Sequence, residues 1–295
     1  VVNNINDKIP KIDEEICKSL INGGIKPSTL IWDPTNFFTY IEKGENLPKK
    51  GASKEKRFDK NIINLGLVVS EDNIPLMHVV YDGNKKESDV IMDVTNLIHS
   101  RLNKLNFDIE NIVFVFDKGN NSKENIPKIK KKFHFVGSLR MNQMSHLLDI
   151  PLSKFEDLYT NKKGNLMRGY RTKEKIYGEE YSIVVTHNEK GERKQREKTD
   201  SSIKKISEKF KEIEESFNKE KKGKKTKVKG LSSRINDFLY KQYRILFDWN
   251  FDEKNQKFSW SLNKDKLELR KKMWGKNILF SDSEKLTTKE IAITY

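Results

Sequence analysis

The stretch Ile112-Val113-Phe114-Val115-Phe116-Asp117 decides the fold prediction, and the polar residues Lys118-Gly119-Asn120-Asn121-Ser122 follow it directly. A short, uninterrupted run of β-branched and aromatic residues predicts a strand that is buried on both faces in the middle of a sheet. Its aspartate then lies where the strand leaves the sheet, which is where α/β proteins commonly place functional side chains. The stretch therefore predicts an α/β fold with a carboxylate available for chemistry at one sheet edge.

A second aspartate has the same setting. Asp33 ends the apolar run Leu30-Ile31-Trp32 and leads into Pro34-Thr35-Asn36. If the two strands are neighbours, the carboxylates meet, and paired carboxylates commonly hold divalent metal ions against phosphate oxygens. Each aspartate also has a structural alternative, since Asp-Pro favours a turn and Asp117 can cap the turn or helix that follows it.

Hydrophobic spacing predicts the elements around these two strands. In chain order they are an amphipathic segment at 12–21, strands at 29–32, 62–69 and 76–81, a helix at 88–105, the strand at 112–116, a helix from Ser122 to about Lys132, and a strand at 133–137. Three antiparallel strands, a helix, a parallel strand ending in aspartate, a helix and another strand describe a ribonuclease H-like core.

The texture of the sequence changes after Leu139. Residues 160–230 contain 22 Lys and Arg residues against 12 Asp and Glu residues, and the basic run at 219–229 predicts a mobile loop. Strand patterns at 181–186, 258–262 and 277–280, with helix patterns at 202–217 and from Thr287 onward, predict an α+β unit and a return to the core. The predicted domains are a polar N-terminal segment (1–28), a catalytic core (29–139), a basic insertion domain (140–274) and a return to the core (275–295). The fold class is thus α/β, a ribonuclease H-like mixed sheet flanked by helices and interrupted by an α+β insertion domain.

The composition favours a polyanionic partner and excludes two classes of protein. The chain has 295 residues and a formal net charge of +15, so its cations can release counterions from nucleic acid; the alternative is a Lys-, Asn- and Ile-rich proteome from an AT-rich genome. Cys17 is the only cysteine, which excludes a disulfide framework and a cysteine-based zinc site and indicates a reducing compartment. No apolar run approaches the roughly 20 residues that cross a bilayer, and the first residues show no signal-peptide pattern.

Five segments carry a family resemblance. They are Ile31-Trp32-Asp33-Pro34-Thr35-Asn36-Phe37-Phe38, Gly51-Ala52-Ser53-Lys54-Glu55-Lys56-Arg57-Phe58-Asp59, Tyr81-Asp82-Gly83-Asn84 with Asp89, Phe116-Asp117-Lys118-Gly119 with Ser122, Glu124 and Asn125, and Phe135-Val136-Gly137. In this order and spacing they resemble the IS4 type of DDE transposases, and within it most closely the IS1634 group. The resemblance covers about 29–140 and resumes at about 275–295.

The resemblance implies a cut-and-paste DNA transposase. Asp33 and Asp117 would be catalytic and metal-binding, as two of the three carboxylates that hold two Mg²⁺ or Mn²⁺ ions in the complete enzyme. The partners would be double-stranded DNA, as transposon ends and target, and a second copy of the chain in a homodimer, in the cytoplasm of a prokaryotic cell at the nucleoid. In the family, the last helix carries Tyr, then Arg, then the catalytic Glu, and Tyr295 falls where the Tyr belongs. The third acid is therefore expected to be absent from this chain, which looks truncated, and little or no strand transfer is expected of it.

Four basic residues are candidates for contacts with the DNA backbone. Lys54, Lys56 and Arg57 lie in the loop before the second strand, and Arg140 lies beside the exit from the core. Solvated surface charge is the alternative for all four. Trp249, Trp260 and Trp274 are expected in the core of the small domain rather than on a base-stacking surface.

Other polar residues are interpreted as structural. Asp82 is assigned to a loop, Asp89 to a helix N-cap and Glu290 to a first helical turn favoured by the helix dipole, with assistance at a metal site as the alternative for Asp82 and Asp89. Asn120 and Asn121 are expected to shape their loop, with phosphate contact as the alternative. The histidines at 78, 99, 134, 146 and 187 lack metal-ligand spacing.

Two other functions compete with the transposase interpretation. Asp33-Pro34-Thr35 faintly resembles the phosphatase pattern Asp-x-Asp-x-Thr, but Thr35 replaces the second aspartate and no glycine-rich lid follows. The serious rival is a non-catalytic DNA-binding remnant of a transposase, which keeps the basic insertion and lacks the third acid.

Overall fold

The computed structural model describes residues 8–42, 47–218 and 226–295. Its α-helices are α1 (Ile9–Asn22), α2 (Glu87–Lys104), α3 (Asn125–Lys130), α4 (Glu189–Asn218), α5 (Val228–Phe238), α6 (Lys264–Lys271) and α7 (Thr288–Thr294). Its strands are β1 (Thr29–Thr39), β2 (Asn61–Ser70), β3 (Pro75–Asp82), β4 (Val113–Phe116), β5 (His134–Leu139), β6 (Glu156–Thr160), β7 (Leu166–Ile176), β8 (Glu179–Asn188), β9 (Phe247–Asp252), β10 (Lys257–Leu262) and β11 (Lys276–Ser281).

One large mixed sheet organises the described part of the chain. Its strand order is β3-β2-β1-β4-β5-β11-β8-β7-β6. Antiparallel pairing joins β1, β2 and β3, whereas β4 is parallel to both β1 and β5. β11 lies between β5 and β8 and is antiparallel to both. Helices flank this sheet, so the predicted α/β class with a mixed sheet is confirmed.

The opening stretch forms the buried centre of the sheet. All four residues of β4 are buried between β1 and β5. Phe114 and Phe116 belong to the larger hydrophobic cluster, which includes residues of α2 and α3. Val113 and Val115 belong to a smaller cluster that includes Ile291 of α7. Because each face of β4 contributes to a core, truncating one of its phenylalanines to alanine should cost about 3–5 kcal/mol.

Helix α1, predicted as the amphipathic segment at 12–21, docks on the core through a buried charge. Asp13 accepts a hydrogen bond from the guanidinium of Arg101 in α2 and lies 2.8 Å from Nδ1 of His78 in β3. Cys17 is buried in the same contact as a free thiol, and burial raises its pKa. The ion pair offsets the cost of removing these charges from water.

A second hydrophobic cluster is built by α4, α5 and the β9–β10 hairpin. The Trp260 ring stacks on Phe210 with 5.3 Å between centroids, and its Nε1 donates to Glu214 at 3.2 Å. Trp249 packs against the same cluster, so both tryptophans have the core positions that were predicted. Trp274 is buried elsewhere, under the guanidinium of Arg196.

The main sheet continues into the range predicted as an insertion domain (140–274). Strands β6, β7 and β8 fall in that range, yet they extend the main sheet through β11. The second cluster takes its residues from 203–267 only. Of the basic run predicted as a mobile loop, residues 219–225 lie outside the described ranges, while Val228 and Lys229 begin α5.

Candidate functional site

Asp33 and Asp117 lie side by side, each directly after the last residue that pairs the parallel strands β1 and β4. Trp32 of β1 lies beside Phe116 of β4, and the pairing of the two strands ends there. Asp33 and Asp117 therefore stand next to each other at one level of the sheet. Because side chains alternate along a strand, both aspartates lie on the face that carries the smaller hydrophobic cluster, and both are exposed.

Asp33 does not end its strand, contrary to the prediction of a strand at 29–32. β1 continues to Thr39 because β2 is long enough to pair with it throughout, with Asp33 opposite Leu67. What ends at Trp32 is the pairing with the shorter β4. A paired β-strand holds Asp33, so the alternative of an Asp-Pro turn is wrong.

Asp117 combines an exposed carboxylate with a capping role. Its Oδ1 accepts a hydrogen bond from the backbone N–H of Lys118 at 2.7 Å, which caps a 3₁₀ turn at Lys118–Asn120. The same oxygen accepts one from the hydroxyl of Tyr295 at 3.1 Å. The structural alternative for Asp117 is therefore realised, and it leaves the second carboxylate oxygen for other ligands.

Tyr295 and Ser138 complete a small hydroxyl network beside Asp117. Their hydroxyl oxygens are 2.8 Å apart, and Ser138 Oγ lies 3.5 Å from Asp117 Oδ1. Burial raises the pKa of Tyr295, the hydrogen bond with Ser138 opposes that rise, and the negative charge of Asp117 adds to it. Tyr295 is thus a neutral donor to Asp117 at neutral pH.

Glu290 caps the start of α7. It forms a capping box with Thr287, whose N–H and hydroxyl donate to its Oε2 at 2.7 and 2.8 Å. These hydrogen bonds lower the pKa of Glu290. The prediction of a first-turn structural residue is confirmed.

Lys54 lies beside Asp33 because its loop is fastened to β1. Asn36 accepts a hydrogen bond from the N–H of Lys54 at 3.0 Å and donates one to the carbonyl of Ala52 at 3.1 Å. The ammonium group of Lys54 then donates to the carbonyl of Pro34, the residue after Asp33. The ammonium group of this candidate cation is therefore held at the backbone of the residue after Asp33.

Lys56 and Arg57 have different surroundings. Lys56 is exposed at a positive φ of 61°. Arg57 holds Asp59 through two hydrogen bonds of 2.9 Å and lies 4.8 Å over the ring of Phe38. The guanidinium lowers the pKa of Asp59 to about 2. The charge of Arg57 is thus already paired within the loop.

A depression of about 900 Å³ opens next to the two aspartates. Its walls include Thr35 and Asn36, which follow Asp33, and Gly119, Asn121 and Ser122, which follow Asp117. Lys54 and Arg140 also line it. Two of the four predicted phosphate-binding cations therefore share one concave surface.

Glu87 in the same depression is a residue that the sequence analysis missed. It is the first residue of α2, and its Oε2 lies 3.1 Å from where a Cβ on Gly119 would be. Burial raises the pKa of Glu87, the charge of Lys54 opposes the rise, and the negative charges of Asp117 and Asp33 add to it. Glu87 is thus within electrostatic range of both aspartates.

The remaining polar residues near the site are structural. Asp89 accepts weakly from the N–H of Lys86 at 3.4 Å and so caps α2, from the third helical position rather than as the predicted N-cap. Asp82 is the last paired residue of β3 rather than the predicted loop residue, and its carbonyl accepts a hydrogen bond from Asn64 at 2.6 Å. Asn121 donates to the carbonyl of Ser138 at 2.6 Å, and Asn120 to that of Asp117 at 3.3 Å, so both shape the loop.

The donor set at the site is entirely oxygen. Carboxylates and amide or hydroxyl oxygens suit Mg²⁺ and Mn²⁺ rather than zinc. Within the described residues, no group of three or more His, Cys, Asp or Glu side chains is arranged to hold a metal ion. The side-chain oxygens of Asn120 and Asn121 are buried, and neither has a hydrogen-bond partner among those residues. The histidines contact Asp13, Asn103, Asp282, Glu174 and Glu192.

No protein-family model matches this sequence, and a search of curated proteins returns no significant match. Across the ranges that the structure describes, every helix is too short or too polar to traverse a lipid bilayer.

Proposed function

We propose that this protein is a DDE-type polynucleotidyl transferase, an IS4-type transposase that cleaves and joins DNA strands with divalent metal ions held at Asp33 and Asp117. One observation carries the proposal. The last parallel pair, Trp32 beside Phe116, puts both aspartates on one face of the sheet at the same level. Two carboxylates so placed supply part of the negative charge that a pair of divalent ions requires.

The strand arrangement supports a ribonuclease H-like core. Strands β1–β3 are antiparallel, α2 follows, β4 is parallel to β1, and α3 leads to the parallel β5. This is the order of elements on which the sequence prediction of that fold was based. The aspartates belong to β1 and to the end of β4.

The residues of the chain have distinct roles in this chemistry. Asp33 and Asp117 would hold the metal ions, and the chemistry that these ions would supply is activation of an attacking hydroxyl and stabilisation of the leaving oxygen in phosphoryl transfer. Lys54 and Arg140 would bind phosphate oxygens in the depression and fix the strand beside the carboxylates. Tyr295 and Ser138 orient the Asp117 carboxylate through its Oδ1.

The charge of the chain favours DNA as the substrate. The formal net charge is +15, and much of the excess lies in residues 160–230. Binding that depends on phosphate contacts weakens steeply as salt rises. A second copy of the chain would bring two transposon ends together.

A non-catalytic DNA-binding function is the second candidate. It is favoured by the absence, in the described ranges, of a three-residue metal-binding group. It is also favoured by the two hydrogen bonds to Asp117 Oδ1, which give that residue a structural role.

Titration with Mn²⁺ separates the two candidates. We expect calorimetry to show that the wild-type chain binds Mn²⁺. Asp33→Asn and Asp117→Asn should each raise the Kd for Mn²⁺ by more than the about 10- to 100-fold that is typical for loss of an outer-shell partner. Asp72→Asn is the matched control, because Asp72 is exposed in the β2–β3 turn at the other end of β1. DNA binding is measured by fluorescence anisotropy. Part of the DNA affinity should persist at raised salt, and this part should require both Mn²⁺ and the two aspartates. A DNA affinity that is lost at high salt and does not depend on Mn²⁺ would favour the non-catalytic DNA-binding function.

A further inference from the structure

The depression beside the aspartates carries an excess of positive charge. Its cationic side chains are those of Lys50, Lys54, Lys85, Lys86 and Arg140, whereas Glu87 is the one acid among the described residues that line it. In the described part of the chain, none of these five cations forms an ion pair with a carboxylate. Arg57 in the same loop differs, because Asp59 neutralises it. The lining therefore suits an anion.

The five cations keep hydrogen-bond donors for a ligand. Lys50 Nζ donates to the carbonyl of Asp59 at 2.5 Å, and Lys54 donates to the carbonyl of Pro34. A carbonyl is neutral, so it positions an ammonium group without cancelling its charge, and each ammonium group has three donors. Lys85 and Lys86 are exposed in the turn between β3 and α2, and Arg140 is exposed directly after β5.

The cations follow the order of the strands along one edge of the sheet. Strands β3, β2, β1, β4 and β5 are successive neighbours, and β2 runs opposite to the other four. The ends of β3, β1, β4 and β5 therefore share an edge with the start of β2. Arg140 follows β5, Lys50 and Lys54 precede β2, and Lys85 and Lys86 follow β3. The two aspartates, at β4 and β1, lie between these cations.

A row of phosphates fits this arrangement better than a single anion does. Strands are about 4.8 Å apart, so β5 and β3 are about 19 Å apart along the edge. One strand of DNA carries a charge every 3.4 Å or so of axis, which places about five or six phosphates over that distance. Tyr81 is the one aromatic residue among the described lining residues, and it is only 6% exposed. The depression thus lacks an accessible ring for base stacking, which favours recognition of the backbone.

We propose that Lys50, Lys85 and Lys86 bind backbone phosphates on the β3 side of the aspartates, so that bound DNA crosses the ends of the strands from β5 to β3. This inference rests on the proposed function for the identity of the polyanion. It makes the contacts unequal on the two sides of the aspartates. Arg140 is one strand away from Asp117, whereas Lys85 and Lys86 lie two strands away from Asp33.

The test is the salt dependence of DNA binding by the double variant Lys85→Ala/Lys86→Ala. Fluorescence anisotropy is measured in EDTA with two duplexes of unrelated sequence. Each lost phosphate contact reduces the slope of log K against log salt concentration by about 0.9, so the slope should become shallower by about 1.8 with both duplexes. Lys50→Ala should reduce the slope by about 0.9.

The matched control is Lys26→Ala/Lys131→Ala. These two lysines are also exposed, but they precede β1 and β5 and so lie at the opposite edge of the sheet. Their removal takes away the same charge and should change the slope by less than about 0.5. Circular dichroism establishes that each variant is folded.

The outcomes separate this inference from the proposed function. If the Lys85→Ala/Lys86→Ala variant and the control have equal slopes while the wild-type chain binds Mn²⁺ at the aspartates, the phosphate contacts are refuted and the metal site stands. A reduced slope with only one of the two duplexes would refute backbone recognition. A reduced slope in a chain that binds no Mn²⁺ would support the phosphate contacts and overturn the metal-dependent part of the proposed function.

Discussion

Gly66→Ala tests the strand register that brings Asp33 to Asp117. Gly66 lies on β2 opposite Pro34, and the Trp32 ring covers it. A Cβ at residue 66 would lie 1.8, 2.4 and 2.7 Å from three ring atoms of Trp32. Such distances are far inside van der Waals contact, so the ring or the strand has to move.

The cost is set by how little Trp32 can move. Its side chain is only 2% exposed within the larger hydrophobic cluster, and it precedes Asp33. Overpacking a core costs typically about 1–3 kcal/mol, and the depth of this overlap places Gly66→Ala at or above the upper end of that range. With a urea dependence of about 1–3 kcal/mol per molar, a loss of about 3 kcal/mol lowers the unfolding midpoint by about 1–3 M.

Urea denaturation followed by circular dichroism measures the effect, with Gly230→Ala as the matched control. Apart from the adjacent residues and the backbone of α5 itself, no described residue has an atom within 4 Å of a Cβ at residue 230, so that change should stabilise the protein by about 0.5–1 kcal/mol. In a Trp32→Leu background, Gly66→Ala should lose most of its cost, because the two residues share one contact. If the free energy of unfolding of Gly66→Ala lies within about 0.5 kcal/mol of the wild-type value, the pairing of β1 with β2 described above is refuted. The register matters for the site because a slip of one residue would move Asp33 to the opposite face of the sheet.

Two further predictions concern charges away from the site. Arg101→Met should lower the free energy of unfolding by about 3–5 kcal/mol, because it leaves Asp13 buried without its cation; Lys104→Met, which breaks the exposed pair with Glu14, is the control and should change it little. An effect of Arg101→Met no larger than that of Lys104→Met would contradict the buried pair. Arg57→Gln should raise the pKa of Asp59 from about 2 toward its ordinary 3.8, as read by NMR titration. Because the folded-state pKa is depressed, the stabilisation by this pair is present at neutral pH and is lost as pH falls from about 4 to about 2; an unchanged Asp59 pKa would exclude the pair in solution.

The centre of the fold could be predicted because its sequence pattern is compatible with one kind of secondary structure. The apolar run at 112–116 fits a strand that is buried on both sides, and β4 is that strand. The elements around it have clear periods of two or 3.6 residues, so β1–β5, α2 and α3 were expected near their observed positions. Their bounds shifted most where a neighbour, such as β2 beside β1, extended the pairing.

The missed strands β6 and β7 have weak patterns for a physical reason. Nine of the eleven residues of β7 are not buried, and five of those nine are charged, among them Arg168, Arg171 and Lys173, so the strand shows no regular alternation of apolar and polar residues. Gly169 is buried with no side chain of its own, and Leu158 of β6 occupies the space. β8, which pairs with β7, is joined to the earlier strands of the sheet through β11, about ninety residues later in the chain. The local sequence of β7 and β8 therefore does not indicate that these strands belong to the main sheet.

Glu87 shows how a site residue escapes a search for strand-end acids and how helical geometry would have found it. The buried residues Val90, Ile91, Val94 and Ile98 define the inward stripe of α2. Residues three and four apart share a helix face, so Glu87 continues this stripe at its N-terminal end, whereas Asp89 is turned about 200° from Glu87. A glutamate on an inward stripe is costly as packing unless a positive partner compensates it. Here the compensation from Lys54 is opposed by two aspartates. An acid at the edge of a buried strand can be recognised from the sequence, whereas an acid on the buried face of α2 can be related to that edge only when the fold shows that α2 lies beside it.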